Sequence, residues 1–229
     1  MKQRVRLLAV AGLSLCTVFC ARAQSAAYVD TEEKVYVRAG LGPVFVQDNR
    51  LVEFGGPDRA DVEYNVGVAA SAAVGWQFMR DFAAEFEFGG MTAEIESAEG
   101  YYSYDSYLGH MPFMLNLVYS RERSGSRITP HVGAGLGGAI TLFDTDGFGN
   151  GGAVVFGEES DAVFVWQVFG GARIELVPDV ALDLSYRYFW ADESSFSYPP
   201  AHPWFGPHLR VGFSGIRAHM LIASVLIKF

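Results

Sequence analysis

Cysteine is nearly absent from this sequence. Of its 229 residues only Cys16 and Cys20 are cysteine, and both fall in an N-terminal segment that reads as a removable leader. Past that segment, disulfide, thiolate-metal and cysteine-nucleophile chemistry are excluded together. Basic charge is scarce as well: 17 Lys and Arg stand against 26 Asp and Glu, for a net charge of -9. Binding a phosphate backbone needs a basic surface, so nucleic acid is excluded as a partner. Long apolar runs are missing too, since none beyond the leader reaches the roughly 18 residues that a membrane-spanning helix requires. Charged residues make up 19% and aromatics 14% of the chain, which is not the high-charge, low-hydrophobicity signature of disorder.

The leader is built from Lys2, Arg4 and Arg6, the apolar run Leu7 to Cys20, and Ala21-Arg22-Ala23. A run this short, followed by an A-x-A site, is the pattern of a secretory signal rather than of a span of about 20 residues. We expect residues 1–23 to be a signal peptide, 24–33 a short periplasmic segment and 34–229 the folded domain. Four of the 17 basic residues and no acids lie in the leader, so the exported chain carries 13 basic against 26 acidic side chains.

What recurs in the rest is alternation with period two. Val62, Tyr64, Val66, Val68, Ala70, Ala72, Val74, Trp76 and Phe78 share one face, while Glu63, Asn65, Gly67, Ala69, Ser71, Ala73, Gly75 and Gln77 share the other. Such a segment is a strand with one bulky apolar wall and one small or polar wall. The same reading predicts eight strands at 34–47, 62–78, 82–96, 107–120, 127–143, 162–176, 180–191 and 212–229. Their connections alternate between short (79–81, 121–126, 177–179) and long (48–61, 97–106, 144–161, 192–211), the latter rich in Gly, Pro, Asp and Ser. Short turns on one side and long loops on the other are the plan of an outer-membrane barrel. A soluble ligand-binding barrel also alternates, but it would face water with the polar wall. Here the non-bulky wall is largely glycine and alanine, and the alternation of Val225, Ile227 and Phe229 runs to the last residue. The fold class expected is all-β, an eight-stranded antiparallel up-and-down transmembrane β-barrel.

Several segments together resemble the eight-stranded outer-membrane protein barrels, the family of the outer-membrane protein A transmembrane domain and the opacity-type surface proteins. They are FAAEFEFGG (82–90), Asn116, ITPHVGAGLGGAI (128–140), WQVFGGARIEL (166–176), VALDLSYRYFW (180–190) and HMLIASVLIKF (219–229). The resemblance implies an outer-membrane location, contact with membrane lipid and lipopolysaccharide, and a C-terminal strand (Val225, Ile227, Phe229) recognised by the barrel-insertion machinery. It also implies membrane integrity, adhesion or host contact as roles, without choosing among them.

An eight-stranded barrel has room only for its own side chains. Strand phase puts Arg38, Glu85, Glu87, Arg173, Glu175, Asp183 and Arg187 in the lumen, with Gln77 and Gln167. Buried charges persist when paired, so a plug of three arginines shared among four carboxylates is expected in the periplasmic half. A plug that only fills the tube and a gate in a narrow low-conductance pore are the two readings of it. Outside, Trp76, Phe78, Phe82, Tyr119 and Phe229 are predicted as the periplasmic aromatic girdle, and Phe143, Phe164, Tyr188 and Trp190 as the outer one.

Other motifs carry less. Gly133-x-Gly135-x-x-Gly138 has the spacing of a dinucleotide loop, but that site needs a strand-to-helix junction, and here the glycines keep strand period. The segment 192–211 gathers His202, Trp204 and His208 with four prolines, and Ser194, Ser195 and Ser197 lie nearby. Neither a converging ligand set nor a fixed nucleophile-base pair follows from it. No catalytic residue, metal or cofactor is therefore expected, with an outer-rim lipid-modifying enzyme as a minor alternative. YYSYDSY (101–107) and the acids Asp144, Asp146, Glu158, Glu159 and Asp161 mark loops suited to surface contact and open as to partner. A monomer is expected.

Overall fold

A computed structural model describes residues 34–121, 126–199 and 208–229. The leader, the 24–33 segment, His202 and Trp204 lie outside the described residues. Within them twelve strands form: β1 (Lys34–Val46), β2 (Asn49–Phe54), β3 (Pro57–Tyr64), β4 (Gly67–Met79), β5 (Phe82–Ala98), β6 (Tyr102–Ser120), β7 (Ile128–Asn150), β8 (Ala153–Val177), β9 (Val180–Ala191), β10 (Ser194–Tyr198), β11 (Leu209–Phe213) and β12 (Ile216–Lys228).

Eight of these close a ring of antiparallel pairs, in the order β1, β4, β5, β6, β7, β8, β9, β12 and back to β1. Closure leaves no strand edge in the ring, which is what lets a sheet cross lipid. The wall is apolar outward, with Leu41, Val68, Val74, Trp76, Phe86, Leu115, Leu136, Phe164, Leu184, Leu221 and Val225 all exposed. The turns at one end are tight. Val177 pairs with Val180, so Pro178 and Asp179 make the whole connection, and Asp179 adopts a φ of 68°, a conformation that aspartate tolerates.

The other end departs from the sequence reading. Three of the four long connections are strand for most of their length, and so are the described residues of the fourth. β5, β6, β7 and β8 run on past the ring, and β3, β2, β11 and β10 pair onto the extension of β5 in that order. The result is a β-structured head above the belt. Its interior is apolar: Leu51, Phe143, Phe148, Phe196, Val211 and Phe213 have no exposed surface.

The switch between belt and head is a change of phase. In β4 the even-numbered Val68 and Val74 face outward, whereas in β3 the even-numbered Val62 is buried. Leu41 on β1 is exposed and Leu51 on β2 is buried; Leu184 on β9 is exposed and Phe196 on β10 is buried; Leu221 on β12 is exposed and Phe213 on β11 is buried. Each pair has matching parity, so each chain slips by one residue at the breaks 47–48, 65–66, 192–193 and 214–215, and a one-residue slip exchanges the two faces. The cause is the solvent. Lipid favours apolar groups on the outside, and water favours them inside. The predicted strand 62–78 is therefore two strands with opposite phase, and Val62 and Tyr64 do not share a wall with Val68. Phe143, expected in the outer girdle, belongs instead to the head interior, at 5.0 Å and 72° from the Phe213 ring.

Candidate functional site

The lumen is filled in layers. Nearest the short turns lies a polar layer drawn from β1, β5, β6, β7, β8 and β9. Arg38 Nη2 donates to Glu85 Oε2 at 2.8 Å and to Glu87 Oε2 at 3.3 Å. The Tyr36 hydroxyl donates to Glu85 Oε1 at 2.7 Å. Arg187 Nη1 donates to Glu87 Oε1. Glu87 Oε2 also accepts from Asn116 Nδ2 at 2.7 Å and Gln167 Nε2 at 3.3 Å. Arg173 Nε donates to Asp183 Oδ2 at 3.2 Å, and its Nη2 lies 3.8 Å from Glu85 Oε1. His131 Nε2 is 3.5 Å from Asp183 Oδ2. Two guanidinium groups also sit over ring faces, Arg173 at 5.2 Å from the Tyr36 centroid and Arg187 at 5.1 Å from that of Phe169. These cation–π contacts supply attraction on the side that no carboxylate covers.

Three arginines face three carboxylates here, so the layer is neutral while His131 is neutral. Arg38, Glu85, Glu87, Asp183 and Arg187 are each at most 4% exposed. Desolvation on this scale is offset by the pairing and the extra donors. A few polar atoms stay without a partner among the described residues: His131 Nδ1, Asp183 Oδ1 and Arg187 Nη2.

Of the residues expected in the plug, Arg38, Glu85, Glu87, Gln167, Arg173, Asp183 and Arg187 come together. Gln77 and Glu175 do not. Gln77 donates to the Arg80 carbonyl at 2.6 Å, and Glu175 pairs at 3.1 Å with Lys228 at the barrel mouth, with 45% of its side chain exposed. Both have lumen phase, but phase fixes a face and says nothing of depth, and at the rim a carboxylate or amide reaches water. Tyr36, Asn116 and His131 were not in the expected set. Their signal is parity: Tyr36 alternates with Arg38, and His131 alternates with Gly133 and Gly135.

Glycine makes the room. A Cβ on Gly75 would stand 2.1 Å from the Tyr36 ring, and one on Gly135 would stand 1.8 Å from the Asn116 amide oxygen. The glycine run 133–138 therefore admits lumen side chains from neighbouring strands and opens no helix.

Above the polar layer the lumen turns apolar, through Met91, Met114, Ala139, Val163, Val165 and Phe189. His110, bonded at 2.9 Å to the Thr141 hydroxyl, is the histidine buried there. A void of about 10 Å³ beside His110 and Met91 is room for about one water. The aromatic head interior closes the outer end. Ser194, Ser195 and Ser197 lie on β10, where the Ser195 amide donates to Asp161 Oδ2 at 2.8 Å, and His208 is exposed just before β11.

The family model for the outer membrane protein beta-barrel domain matches residues 11–229, and the chain belongs to that family. No curated protein matches the sequence. Among solved structures the chain is similar to neisserial surface protein A, at 17% identity over 87% of this chain and 98% of that one, with a TM-score of 0.50. It is similar to the outer membrane protein OprG from Pseudomonas aeruginosa, at 12% identity over 86% and 95%, with a TM-score of 0.52. It is also similar to the outer membrane protease OmpT from Escherichia coli, at 11% identity over 90% and 100%, with a TM-score of 0.51. Likeness at this level establishes the fold. A surface protein and a protease share it, so function has to be argued from the residues.

Proposed function

We propose that this member of the outer membrane β-barrel family is a sealed, non-catalytic barrel that carries a rigid head at the cell surface, where the head contacts surface or host ligands. The observation that carries this reading is the double closure of the lumen. An ion crossing it has to pass a neutral network of paired charges and then a mainly apolar layer capped by Phe143, Phe148, Phe196 and Phe213. Exposed Tyr102, Tyr104 and Phe156 near the tips of the head supply the broad, low-entropy contact area that recognition surfaces favour. In this reading residues 1–23 direct export, Val225, Ile227 and Phe229 are read by the insertion machinery, the barrel works as a monomer without cofactor, and lipopolysaccharide surrounds it.

Two measurements test it. Planar-bilayer recordings of the barrel and of Arg187→Ala should both be silent, and a conductance that Arg187→Ala alters overturns the sealed reading in favour of a narrow pore. Cells producing the barrel should lose adherence to host matrix when residues 147–157 are replaced by a tight turn; unchanged adherence overturns the surface role.

A further inference from the structure

At the outer edge of the apolar band, where Tyr188 and Trp190 form part of the aromatic girdle expected of a barrel, the wall between β1, β9 and β12 also carries a connected hydrogen-bonded set. His219 lies on the outer face of β12, in register with Tyr188 on β9 and Phe45 on β1. Its Nδ1 is 2.6 Å from the Tyr186 hydroxyl, and its Nε2 is 2.8 Å from Gln47 Nε2. With the Gln47 amide turned so that its nitrogen faces the ring, that nitrogen can only donate, and His219 Nε2 accepts. The ring proton therefore sits on Nδ1 and donates to the Tyr186 oxygen. That leaves the hydroxyl hydrogen of Tyr186, a side chain 48% exposed, free to donate outward.

Two residues farther from the membrane centre on the same face of β12 is Arg217, in register with Trp190. It is exposed and makes no ion pair among the described residues, Asp48 and Asp192 at the neighbouring strand breaks included. The plug arginines and Arg50 are all paired; Arg217, like Arg59, Arg80, Arg121, Arg127 and Arg210, is not paired among the described residues, and it is the one of these in register with Trp190. Trp190 stacks on Trp166 at 6.2 Å and 25°, and the sequence of rings continues through Tyr188 to His219. Toward the membrane centre from Tyr186 the wall is indented. A groove of about 320 Å³ lies among Leu184, Tyr186, Leu221 and Ala223, because Ala223 is small between larger neighbours.

We propose that this patch binds one molecule of lipid A in the outer leaflet. Arg217 and the Tyr186 hydroxyl hold a phosphate, the flat faces of Trp166, Trp190 and Tyr188 pack on the sugar ring, and an acyl chain fills the groove. A phosphate accepting from a guanidinium and a phenol makes charge-assisted bonds that are strong at the edge of a low-dielectric phase. The aromatic shelf is what favours a phosphorylated sugar over a glycerophospholipid, whose headgroup offers no ring to cover it. His219 acts as a positioning residue: it fixes the Tyr186 hydroxyl in the donating orientation.

The test uses the whole barrel refolded in zwitterionic detergent and titrated with purified lipid A. Native mass spectrometry counts bound lipid, and tryptophan fluorescence reports Trp166 and Trp190. One lipid A per barrel is expected. Affinity should fall about tenfold or more for Arg217→Ala, for Tyr186→Phe and for dephosphorylated lipid A, the loss expected of one charge-assisted hydrogen bond. Heat-modifiable migration of each variant separates a barrel that has not folded from one that has lost the site. Lipid A binding that Arg217→Ala or dephosphorylation leaves unchanged overturns the proposal, and so does phosphatidylglycerol binding as tightly as lipid A.

Discussion

Arg187 and Glu87 reach each other across the full width of the lumen, from β9 and β5, strands that stand four places apart in a ring of eight. Their ion pair is a strut between opposite walls. Glu87 also accepts from Arg38, Asn116 and Gln167, so Glu87→Ala leaves two guanidinium groups buried with fewer partners. Removing one member of such a pair costs about 3 to 5 kcal/mol. Urea unfolding of the barrel in lipid vesicles should show a loss of that size. The double replacement Glu87→Leu with Arg187→Met should recover much of it, since apolar residues of similar volume fill a buried site without the desolvation cost. A double variant as unstable as the single one would show that the strut acts through something other than charge.

The Tyr36 ring occupies the space that a side chain on Gly75 would need. Gly75→Ala should therefore destabilise the barrel by about 1 to 3 kcal/mol through overpacking. Tyr36→Phe removes the hydrogen bond to Glu85 and keeps the ring, so it should not relieve the clash, whereas Tyr36→Leu should relieve part of it. Urea midpoints of the three single variants and of Gly75→Ala combined with each Tyr36 replacement decide the matter.

The ring of eight strands is legible in the sequence because lipid imposes one rule on every strand, bulky side chains outward, and that rule survives differences in composition. The charges at Arg38, Glu85, Glu87, Arg173, Asp183 and Arg187 are legible for the same reason, since each stands on the wall opposite the bulky one. Depth is harder to read. Gln77 and Glu175 obey the lumen phase and still lie at the mouth, because parity carries no coordinate along the barrel axis. The head is the largest part that the sequence conceals. Its strands hold the Gly, Pro and Asp of loops, and at the four strand breaks the phase inverts, so Leu51 and Phe213 become interior while residues of equal parity on the adjoining belt strands face lipid; Phe143 on the unbroken β7 keeps the lumen phase of His131 and Thr141.

Phe143 is the centre of the head. It meets Phe148 at 5.5 Å and 86°, Phe213 at 5.0 Å and 72°, and Tyr198 at 6.0 Å and 88°. Truncating a buried phenylalanine to alanine costs about 3 to 5 kcal/mol, and here the cost falls on the head, because the ring of strands below closes through its own ladders. Phe143→Ala should make the head sensitive to added protease on intact cells while the barrel keeps its heat-modifiable migration. Loss of both together would mean that head and ring unfold as one unit.

Three phenols in the head tie its stability to alkaline pH. Burial raises the pKa of Tyr101, and the hydrogen bond and charge of Asp58 add to it, pushing it from the ordinary 10.0 up to about 12. Burial raises Tyr64, whose hydroxyl donates to Asn49 Oδ1 at 2.9 Å. Burial, then the carboxylates of Glu159, Asp144 and Glu158, raises Tyr198, whose hydroxyl donates to the Phe143 carbonyl at 2.7 Å. A phenol whose folded pKa lies above its unfolded value stabilises the fold fully below the unfolded value, and that contribution is lost as pH rises through the window above it. For Tyr101 the window runs from pH 10.0 to about 12. Phenolate absorbance of the folded barrel should therefore show these three tyrosines ionising after the exposed ones, and the near-ultraviolet circular dichroism of the head should decay across the same interval. Tyr101→Phe should shift the decay to higher pH, because one of the groups whose ionisation favours the unfolded head is gone. Tyrosines that titrate together near their ordinary value, with the dichroism unchanged, would place the phenols in water and the head interior open to it.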